Sequence, residues 1–204
     1  MEEGFQGTAV GLVYDGGIAL ASDTRNTARY QIRSKNVRKI FEVQDNVGAA
    51  ISGLAGDAQK LIDVMKSESN LYRIRREKTI QPKSLARLTA NIFHSQRMFP
   101  YIVSLILGGY GIDGPKLYFL DPAGGQLEEE RFAAAGTGSS VAYGVLEQNF
   151  KEGMNSEDAL KLAAQSIQQA IERDAASGDG VMLAKVDEEG YQEIPQDEIN
   201  SYLK

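Results

Sequence analysis

Cysteine and tryptophan are both missing from this 204-residue sequence, and histidine occurs only once, as His94. Without cysteine there can be no disulfide, no thiol nucleophile and no thiolate metal site. A single histidine leaves little basis for a Ser-His catalytic pair or a histidine-rich metal centre, and we interpret His94 as a surface or structurally satisfied helix residue. The sequence therefore predicts no metal and no cofactor.

The sequence also lacks a basic excess and a long apolar run. Its 22 lysines and arginines against 28 aspartates and glutamates give a formal net charge of −6, which argues against nucleic-acid and anionic-membrane partners. The longest apolar run, residues 101–107, is far shorter than the roughly 18 residues of a membrane span. Residues 1–6 carry two glutamates and lack the apolar segment of a signal peptide. We expect a cytoplasmic protein.

The most informative stretch runs from Gly7 to Lys39. Short aliphatic runs flank an Asp15-Gly16-Gly17 turn, and this pattern predicts a β-hairpin because glycine supplies the positive φ of a tight turn. Asp23 ends the second strand, and Lys39 lies in a further strand-like run, residues 38–43. If Asp23 and Lys39 share a partly buried site, each requires the other, since an unpaired buried charge is costly. The spacing leaves open the alternative that both are ordinary surface charges.

Blocks of strand and helix patterns follow one another along the rest of the chain. Two helices come after the glycine-rich break at Gly53, the second beginning at Pro82. Strands follow, joined by turn-like segments at residues 108–115 and 121–125. Two more helices come next, the last capped by Asn155 with Asp158 as its partner and ending near Ala176, then two strands and a short terminal helix. Such segregated blocks favour antiparallel sheets with helices in separate layers. The predicted fold class is α+β, with two sheets packed face to face and a helix pair outside each, in a single domain over residues 1–204.

A glycine-rich turn at residues 136–140 joins a predicted strand to a predicted helix. Turns of this kind can hold phosphate on free backbone amides. The stretch lacks the lysine of a P-loop and the glycine pattern of a dinucleotide site, so phosphate binding is only an alternative hypothesis here.

Further motifs are distributed over nearly the whole chain. They are Val10-Gly11, Asp23 with Arg25, Lys39, Ser52-Gly53-Leu54-Ala55-Gly56-Asp57-Ala58-Gln59, Gly124-Gly125, Tyr143-Gly144-Val145-Leu146-Glu147 and Arg173-Asp174-Ala175-Ala176-Ser177-Gly178. In this order the motifs resemble those of β-type subunits of the archaeal 20S proteasome, an N-terminal-nucleophile hydrolase family. The resemblance implies a four-layer αββα sandwich, assembled as a seven-membered β ring that stacks on a second β ring and is flanked by α rings.

The same resemblance implies a function and a set of partners. It implies a part in ATP-dependent intracellular protein degradation by threonine-type peptide-bond hydrolysis. The expected partners are proteasome α subunits, other β subunits, unfolded polypeptide substrates and a regulatory ATPase that acts through the α ring, without nucleic acid or membrane. Residues 1–7 correspond to a short propeptide or N-terminal extension.

The resemblance also assigns roles to particular residues. In the family a threonine hydroxyl, exposed by self-cleavage, attacks the peptide carbonyl, and its own α-amino group serves as the base. Lys39 and Asp23 match the lysine–aspartate pair that lowers the pKa of this hydroxyl. Gly53 matches the residue whose backbone amide forms the oxyanion hole.

Two smaller sets of residues complete the site implied by the resemblance. Asp174 and Ser177 match the supporting pair near the new N-terminus, and Thr137 stands where the family usually has serine. The pocket for the substrate residue before the cut is expected to prefer apolar side chains. Its expected lining residues are Asn26, Thr27, Val37 and Ile51.

The position of the nucleophile departs from the family pattern. The family places the nucleophile three residues before the valine that matches Val10, and this count reaches Gly7. Counting back 16 residues from Asp23 or 32 from Lys39 also reaches Gly7. Glycine has no hydroxyl. Thr8 is the candidate nearby, and the Gly7-Thr8 bond resembles the usual cleavage junction, but neighbouring strand residues face opposite sides of a sheet.

Three interpretations of Gly7 follow from the sequence. The chain could be a natural non-catalytic β subunit that shapes the ring, an engineered chain whose nucleophile was replaced, or an active subunit that uses Thr8 after a local shift of the first strand. Asp23, Lys39, Asp174 and Ser177 favour an enzyme, whereas Gly7 favours a structural subunit.

Overall fold

The computed structural model describes residues 7–28 and 31–204. Of the predicted N-terminal extension, residues 1–6 lie outside the described residues, and only Gly7 lies within them. Among the helices of the described part, none combines the length and apolar character that crossing a bilayer requires.

Two five-stranded antiparallel sheets form the centre of the molecule. The first has the strand order β10-β1-β2-β11-β12 and the second the order β5-β6-β7-β8-β9, while β3 and β4 form a separate hairpin. The strands of the first sheet are β1 (Thr8–Tyr14), β2 (Gly17–Asp23), β10 (Phe132–Gly136), β11 (Val181–Asp187) and β12 (Gly190–Glu193). Those of the second sheet are β5 (Ile40–Gln44), β6 (Val47–Gly53), β7 (Val103–Gly111), β8 (Gly114–Leu120) and β9 (Gln126–Glu129). The hairpin strands are β3 (Asn26–Ala28) and β4 (Gln31–Ser34).

Helices cover the outer faces of both sheets. Hydrophobic residues of α1 and α2 pack with the outer face of the second sheet, and those of α3, α4 and α5 pack with the outer face of the first. The helices are α1 (Ala55–Arg76), α2 (Pro82–Ser95), α3 (Ser139–Asn149), α4 (Ser156–Arg173) and α5 (Gln196–Tyr202). The two-sheet, helix-flanked α+β fold predicted from the order of the blocks is confirmed.

Strand β1 is buried on both faces, which explains why its sequence is almost entirely apolar. Val10 and Leu12 belong to the core beneath α3 and α4, whereas Ala9 belongs to the core between the two sheets. The alternation follows from the two-residue period of a strand. A slip of β1 by one residue would exchange these two sets of side chains between the two cores.

Glycines allow the two sheets to approach closely. A Cβ atom added to Gly11 would lie 2.7 Å from a methyl of Ile106 and 2.8 Å from one of Leu117. A Cβ atom added to Gly108 would lie 2.5 Å from a methyl of Ile18. Because these positions carry no side chain, the two sheets lie close together there, and a larger residue would not fit.

Several predicted boundaries are wrong. Residues 108–111, which the sequence predicts as part of a turn, continue β7, and Gly108 and Gly109 there make room for Ile18 and Pro82. The last long helix ends at Arg173, not near Ala176, because the backbone of Asp174 is extended. The cap of that helix is confirmed, since the Asn155 side chain accepts a hydrogen bond from the Asp158 amide.

We expect Gly11→Ala to lower the free energy of unfolding by about 1–3 kcal/mol, because the added methyl overpacks the layer between the sheets. Urea unfolding followed by circular dichroism would measure the change. Gly144→Ala is the matched control, since Gly144 lies in α3 with nothing within 4 Å of its added Cβ. There alanine should stabilise the helix by about 0.5–1 kcal/mol. Equal effects of the two substitutions would contradict the prediction.

Candidate active site

The start of β1 lies at one end of the sandwich, where the two sheets, the turn before α3 and the loop after α4 meet. The Gly7 carbonyl oxygen accepts hydrogen bonds from the Thr137 amide at 3.0 Å and from the Ser52 hydroxyl at 3.2 Å. Gly7 has a φ of +83°, in the left-handed region that favours glycine. Residue 7 therefore has a fixed position relative to both sheets.

Asp23 and Lys39 form a buried ion pair. Lys39 Nζ lies 2.7 Å from Asp23 Oδ1, and the side chains are 9% and 0% exposed. The backbone amides of Thr8, Arg25 and Gly178 also donate to the Asp23 carboxylate, at 2.8, 3.0 and 3.0 Å. The two residues are thus a partnered pair and not separate surface charges.

Burial and the neighbouring carboxylate act in opposite directions on the pKa of Lys39. Burial lowers the pKa of Lys39 below its usual range, and this effect outweighs the nearby Asp23 carboxylate, which raises it. Lys39 lies one residue before β5, outside the strand in which the sequence places it, and its carbonyl accepts from the Ile51 amide at 2.9 Å. That bond attaches the lysine backbone to β6.

A second polar cluster surrounds Asp174. Its carboxylate accepts from the Ser177 hydroxyl at 2.6 Å and from the Thr137 hydroxyl at 2.5 Å. The Thr8 hydroxyl lies 2.7 Å from the Ser177 hydroxyl oxygen. Because Ser177 donates to Asp174, the Thr8 hydroxyl is the donor to Ser177. The structure therefore brings Asp174, Ser177, Thr137 and Thr8 together.

Gly7 and Thr8 have different surroundings. A Cβ atom added to Gly7 would lie 2.1 Å from Lys39 Nζ and 2.5 Å from Asp23 Oδ1. A side chain at position 7 would thus meet the ion pair, whereas the hydroxyl of Thr8 bonds to Ser177. The geometry agrees with the sequence register, in which residue 7 and not residue 8 is next to Lys39.

A cleft with about 410 Å³ of empty space, part of it open to solvent, adjoins the ion pair. Three of the four predicted pocket residues line it, together with Lys39 and Gly53. The lining residues are Arg25, Asn26, Val37, Arg38, Lys39, Phe41, Ile51, Gly53, Ala55, Ala58 and Gln59. Thr27 does not line this cleft, because it faces the loop after α4 and its hydroxyl donates to the Ala176 carbonyl at 3.4 Å.

Gly53 occupies a position that only glycine fits. Its φ is +144°, and an added Cβ would lie 2.2 Å from the Ile102 carbonyl oxygen. Leu54 donates its amide to that same oxygen at 2.9 Å, and the Asp57 carboxylate accepts from the Ile102 amide at 2.9 Å. The segment that follows β6 is therefore anchored to the segment before β7.

Sequence reasoning missed several residues of the site. Ser52 bonds the Gly7 carbonyl, the Gly178 amide bonds Asp23, and Asp179 pairs with the Arg25 guanidinium at 2.8 Å. The position of Ser52 directly before Gly53 was an available signal. Gly178 and Asp179 gave none, since their role depends on a loop conformation in which Asp179 has a φ of +70°.

Residues 7 and 8 occupy the space beside the glycine-rich turn at residues 136–140. A Cβ on Gly136 would lie 2.0 Å from the Gly7 carbonyl oxygen, and one on Gly138 would lie 2.3 Å from the Thr8 hydroxyl. The intervening Thr137 amide already donates to Gly7. Close packing against β1, and not phosphate binding, explains the glycines.

Over residues 7–28 and 31–204, no three acidic or histidine side chains form a group that could hold a metal ion.

We expect Asp23→Asn to lower the free energy of unfolding by about 3–5 kcal/mol, because it leaves the Lys39 ammonium buried without a carboxylate. Urea unfolding is the measurement. The double variant Asp23→Asn/Lys39→Met should recover part of the loss. Glu128→Gln, which breaks the exposed pair with Lys116, is the control and should cost less than about 1 kcal/mol. A loss as small as this for Asp23→Asn would contradict the prediction.

The lowered pKa of Lys39 makes stability depend on pH. Between the folded-state pKa and the unfolded value of about 10.4, the unfolded chain binds a proton that the folded chain does not, so stability rises with pH. The difference in free energy of unfolding, native minus Lys39→Met, should therefore grow as pH is raised from 7 to 10. For Lys116, whose hydrogen bond to Glu128 raises its pKa, the same difference should stay flat over this range. A flat difference for Lys39 would refute the prediction.

Comparison with known proteins agrees with this architecture. The model of the family described as "Proteasome subunit" matches residues 4–186. A "Proteasome subunit beta" from Methanothrix thermoacetophila is 39% identical over 205 residues, covering 100% of this chain and 99% of the relative. Proteins of the same name from Methanocaldococcus vulcanius and Ferroglobus placidus are each 42% identical, over 96% and 98% of this chain and 88% and 96% of their own lengths.

The family match covers most of the chain, and the relatives align with nearly all of it at about 40% identity. The chain belongs to the proteasome subunit family, as a β subunit of the archaeal type.

Proposed function

We propose that this chain is a non-catalytic β subunit of a cytoplasmic 20S core particle that degrades proteins by threonine-type hydrolysis. In this proposal it is a single domain and keeps residues 1–7 as an N-terminal extension. It shares a seven-membered ring with other β subunits, beside α subunits that receive unfolded polypeptides from a regulatory ATPase. Its contribution to degradation is to shape the ring and to support a neighbouring subunit that carries a nucleophile.

The observation that carries this proposal is the position of Gly7. The family chemistry needs a hydroxyl beside the lysine–aspartate pair, and the residue beside Lys39 and Asp23 has no side chain. The amine of Lys39 instead lies 2.1 Å from the point where a Cβ atom of residue 7 would be. A nucleophile at this position therefore needs both a different residue and a displaced lysine.

The chemistry could use Thr8 only if β1 moved. Thr8 is fully buried, its amide donates to Asp23, and it pairs with Gly136 on β10. Sliding β1 by one residue would put Thr8 beside Lys39 but would turn Val10 and Leu12 away from the helix core. These large side chains would then enter the thin layer between the sheets, where overpacking costs about 1–3 kcal/mol and opposes the slip.

Asp23, Lys39, Asp174 and Ser177 have structural contacts that do not require catalysis. Asp23 holds the backbone amides of β1 and of the loop after α4, and Lys39 balances its charge. Asp174 orients Ser177 by accepting its hydroxyl hydrogen bond, and the Ser177 oxygen accepts a hydrogen bond from the Thr8 hydroxyl. These contacts fix the start of β1 in a chain without a nucleophile.

The test is the intact mass of this chain in assembled particles, before and after treatment with a peptide epoxyketone, which reacts with a hydroxyl and a free α-amine on one residue. We expect a chain that keeps residues 1–7 and gains no adduct, in particles whose catalytic subunit is labelled. Loss of residues 1–7 together with one adduct on Thr8 would overturn the proposal.

A Gly7→Thr variant that lacks residues 2–6 is the matched positive control, because removal of the initiator methionine would expose the new threonine as the N-terminus. Once this residue is N-terminal, it has no φ torsion, so it avoids the left-handed strain that Gly7 accommodates and can turn its Cβ away from the Lys39 amine. We expect this variant to gain one adduct, which shows that the reagent reaches the cleft. A Thr8→Ala variant shows whether any adduct on the native chain depends on Thr8.

A further inference from the structure

A second cavity lies between α1 and the end of β5, and it shares no residue with the cleft beside Lys39. Four residues of α1 between positions 66 and 73 form its helix wall, and residues 42–45 form its strand wall. The cavity has about 580 Å³ of empty space, part of it open to solvent. This volume is within the range of about 300–1,000 Å³ that is typical of small-molecule sites.

Two side chains at this cavity have buried polar atoms without partners. Ser69 is 4% exposed, and its hydroxyl oxygen has no hydrogen-bond partner among the described residues. The Gln44 amide nitrogen donates to the Asn46 side chain and to the Ile80 carbonyl, both at 2.8 Å, but its Oε1 has no partner in the same part of the chain. A buried polar atom without a partner costs free energy, so a ligand that bonds to these two atoms would stabilise the folded chain.

The Ser69 hydroxyl differs from other hydroxyls in the helices of this protein. Ser67, Thr89 and Ser166 each donate to the carbonyl oxygen four residues earlier, at 2.7, 2.9 and 2.7 Å. The hydroxyl of Ser69 makes no such bond to Met65. A serine hydroxyl changes its partner by rotation about one bond, so Ser69 is available as a donor to a ligand in the cavity that it lines.

The two walls carry opposite charges. Lys66 and Arg73 belong to the helix wall, and Glu42 and Asp45 belong to the strand wall. Within the described part of the chain, none of these four side chains takes part in an ion pair. A dianion such as phosphate would meet the two carboxylates as well as the two cations. A molecule with one anionic and one cationic group complements both walls.

We propose that this cavity binds a free α-amino acid in its zwitterionic form. The ligand carboxylate lies toward Lys66 and Arg73 and accepts a hydrogen bond from the Ser69 hydroxyl. The ligand ammonium lies toward Asp45 and donates to Gln44 Oε1. This inference goes beyond the proposed structural role and does not rest on it, because the cavity and the cleft beside Lys39 have no residue in common.

The lining of the cavity favours an amino acid with a small side chain. Val43 is the one aliphatic residue among the described residues that line it, and the others are polar or charged. The walls therefore offer little apolar surface for a large hydrophobic side chain to bury. L-alanine is accordingly the probe.

The test titrates the full chain with L-alanine and follows binding by saturation-transfer NMR. Propionate and ethylamine are the matched analogues, because propionate lacks the ammonium group and ethylamine lacks the carboxylate. We expect saturable binding of L-alanine and at least about tenfold weaker binding of each analogue, since hydrogen bonds to charged groups are among the stronger ones. Either analogue binding as tightly as L-alanine, or no saturable binding of L-alanine, would overturn the proposal, and neither result requires a variant to fold.

Three variants assign the binding to this cavity. Arg73→Gln should weaken L-alanine binding about tenfold. Lys60→Gln removes a charge from the same helix outside the cavity and should leave binding unchanged. Ser69→Ala should weaken binding and also raise the urea midpoint of the chain without ligand, because it removes a buried hydroxyl that lacks a partner. Native affinity in Arg73→Gln, or a lowered midpoint in Ser69→Ala, would contradict the assignment.

Discussion

The carboxylate of Asp23 is the interaction on which the site depends. Four donors converge on its two oxygens, namely the Lys39 amine and the amides of Thr8, Arg25 and Gly178. These donors come from β1, from the segment before β5, from the second residue after β2, and from the loop after α4. A buried carboxylate needs hydrogen-bond partners, and each of these partners is held in place in turn. One side chain thus connects both sheets with the loop that carries Ser177.

Predictions that rest on periodicity are the ones that the structure reproduces. Alternating and helical patterns give the α+β layers, because the side-chain period of an element follows directly from its geometry. The spacing of Asp23 and Lys39 suggested a shared site, and the alternation of strand residues separated Gly7 from Thr8. The neighbours that the sequence did not reveal, such as Gly178 and Asp179, depend on a loop whose backbone conformation has no periodic signal.

The glycines also show that tertiary contacts cannot be predicted from local composition. In the sequence, residues 136–138 have the composition of an anion-binding turn, and the glycines near residue 108 have the composition of a loop. In the fold, Gly136 and Gly138 lie against residues 7 and 8, and Gly108 lies against Ile18 across the thin layer between the sheets. Composition indicates that backbone or side chains approach closely, but only tertiary structure shows what approaches. Boundaries of elements are uncertain for the same reason, since packing extends β7 through residues that disfavour strands in isolation.

The left-handed backbone of Gly7 has a consequence for how sequence and chain processing are related. A φ torsion exists only while a residue precedes, so the conformational demand on position 7 applies to the uncut chain and disappears when that residue becomes a terminus. Glycine at position 7 meets this demand without strain, whereas a branched residue such as threonine is strained there as long as a residue precedes it. The energetic cost of a side chain at position 7 therefore depends on whether the preceding residues are still attached.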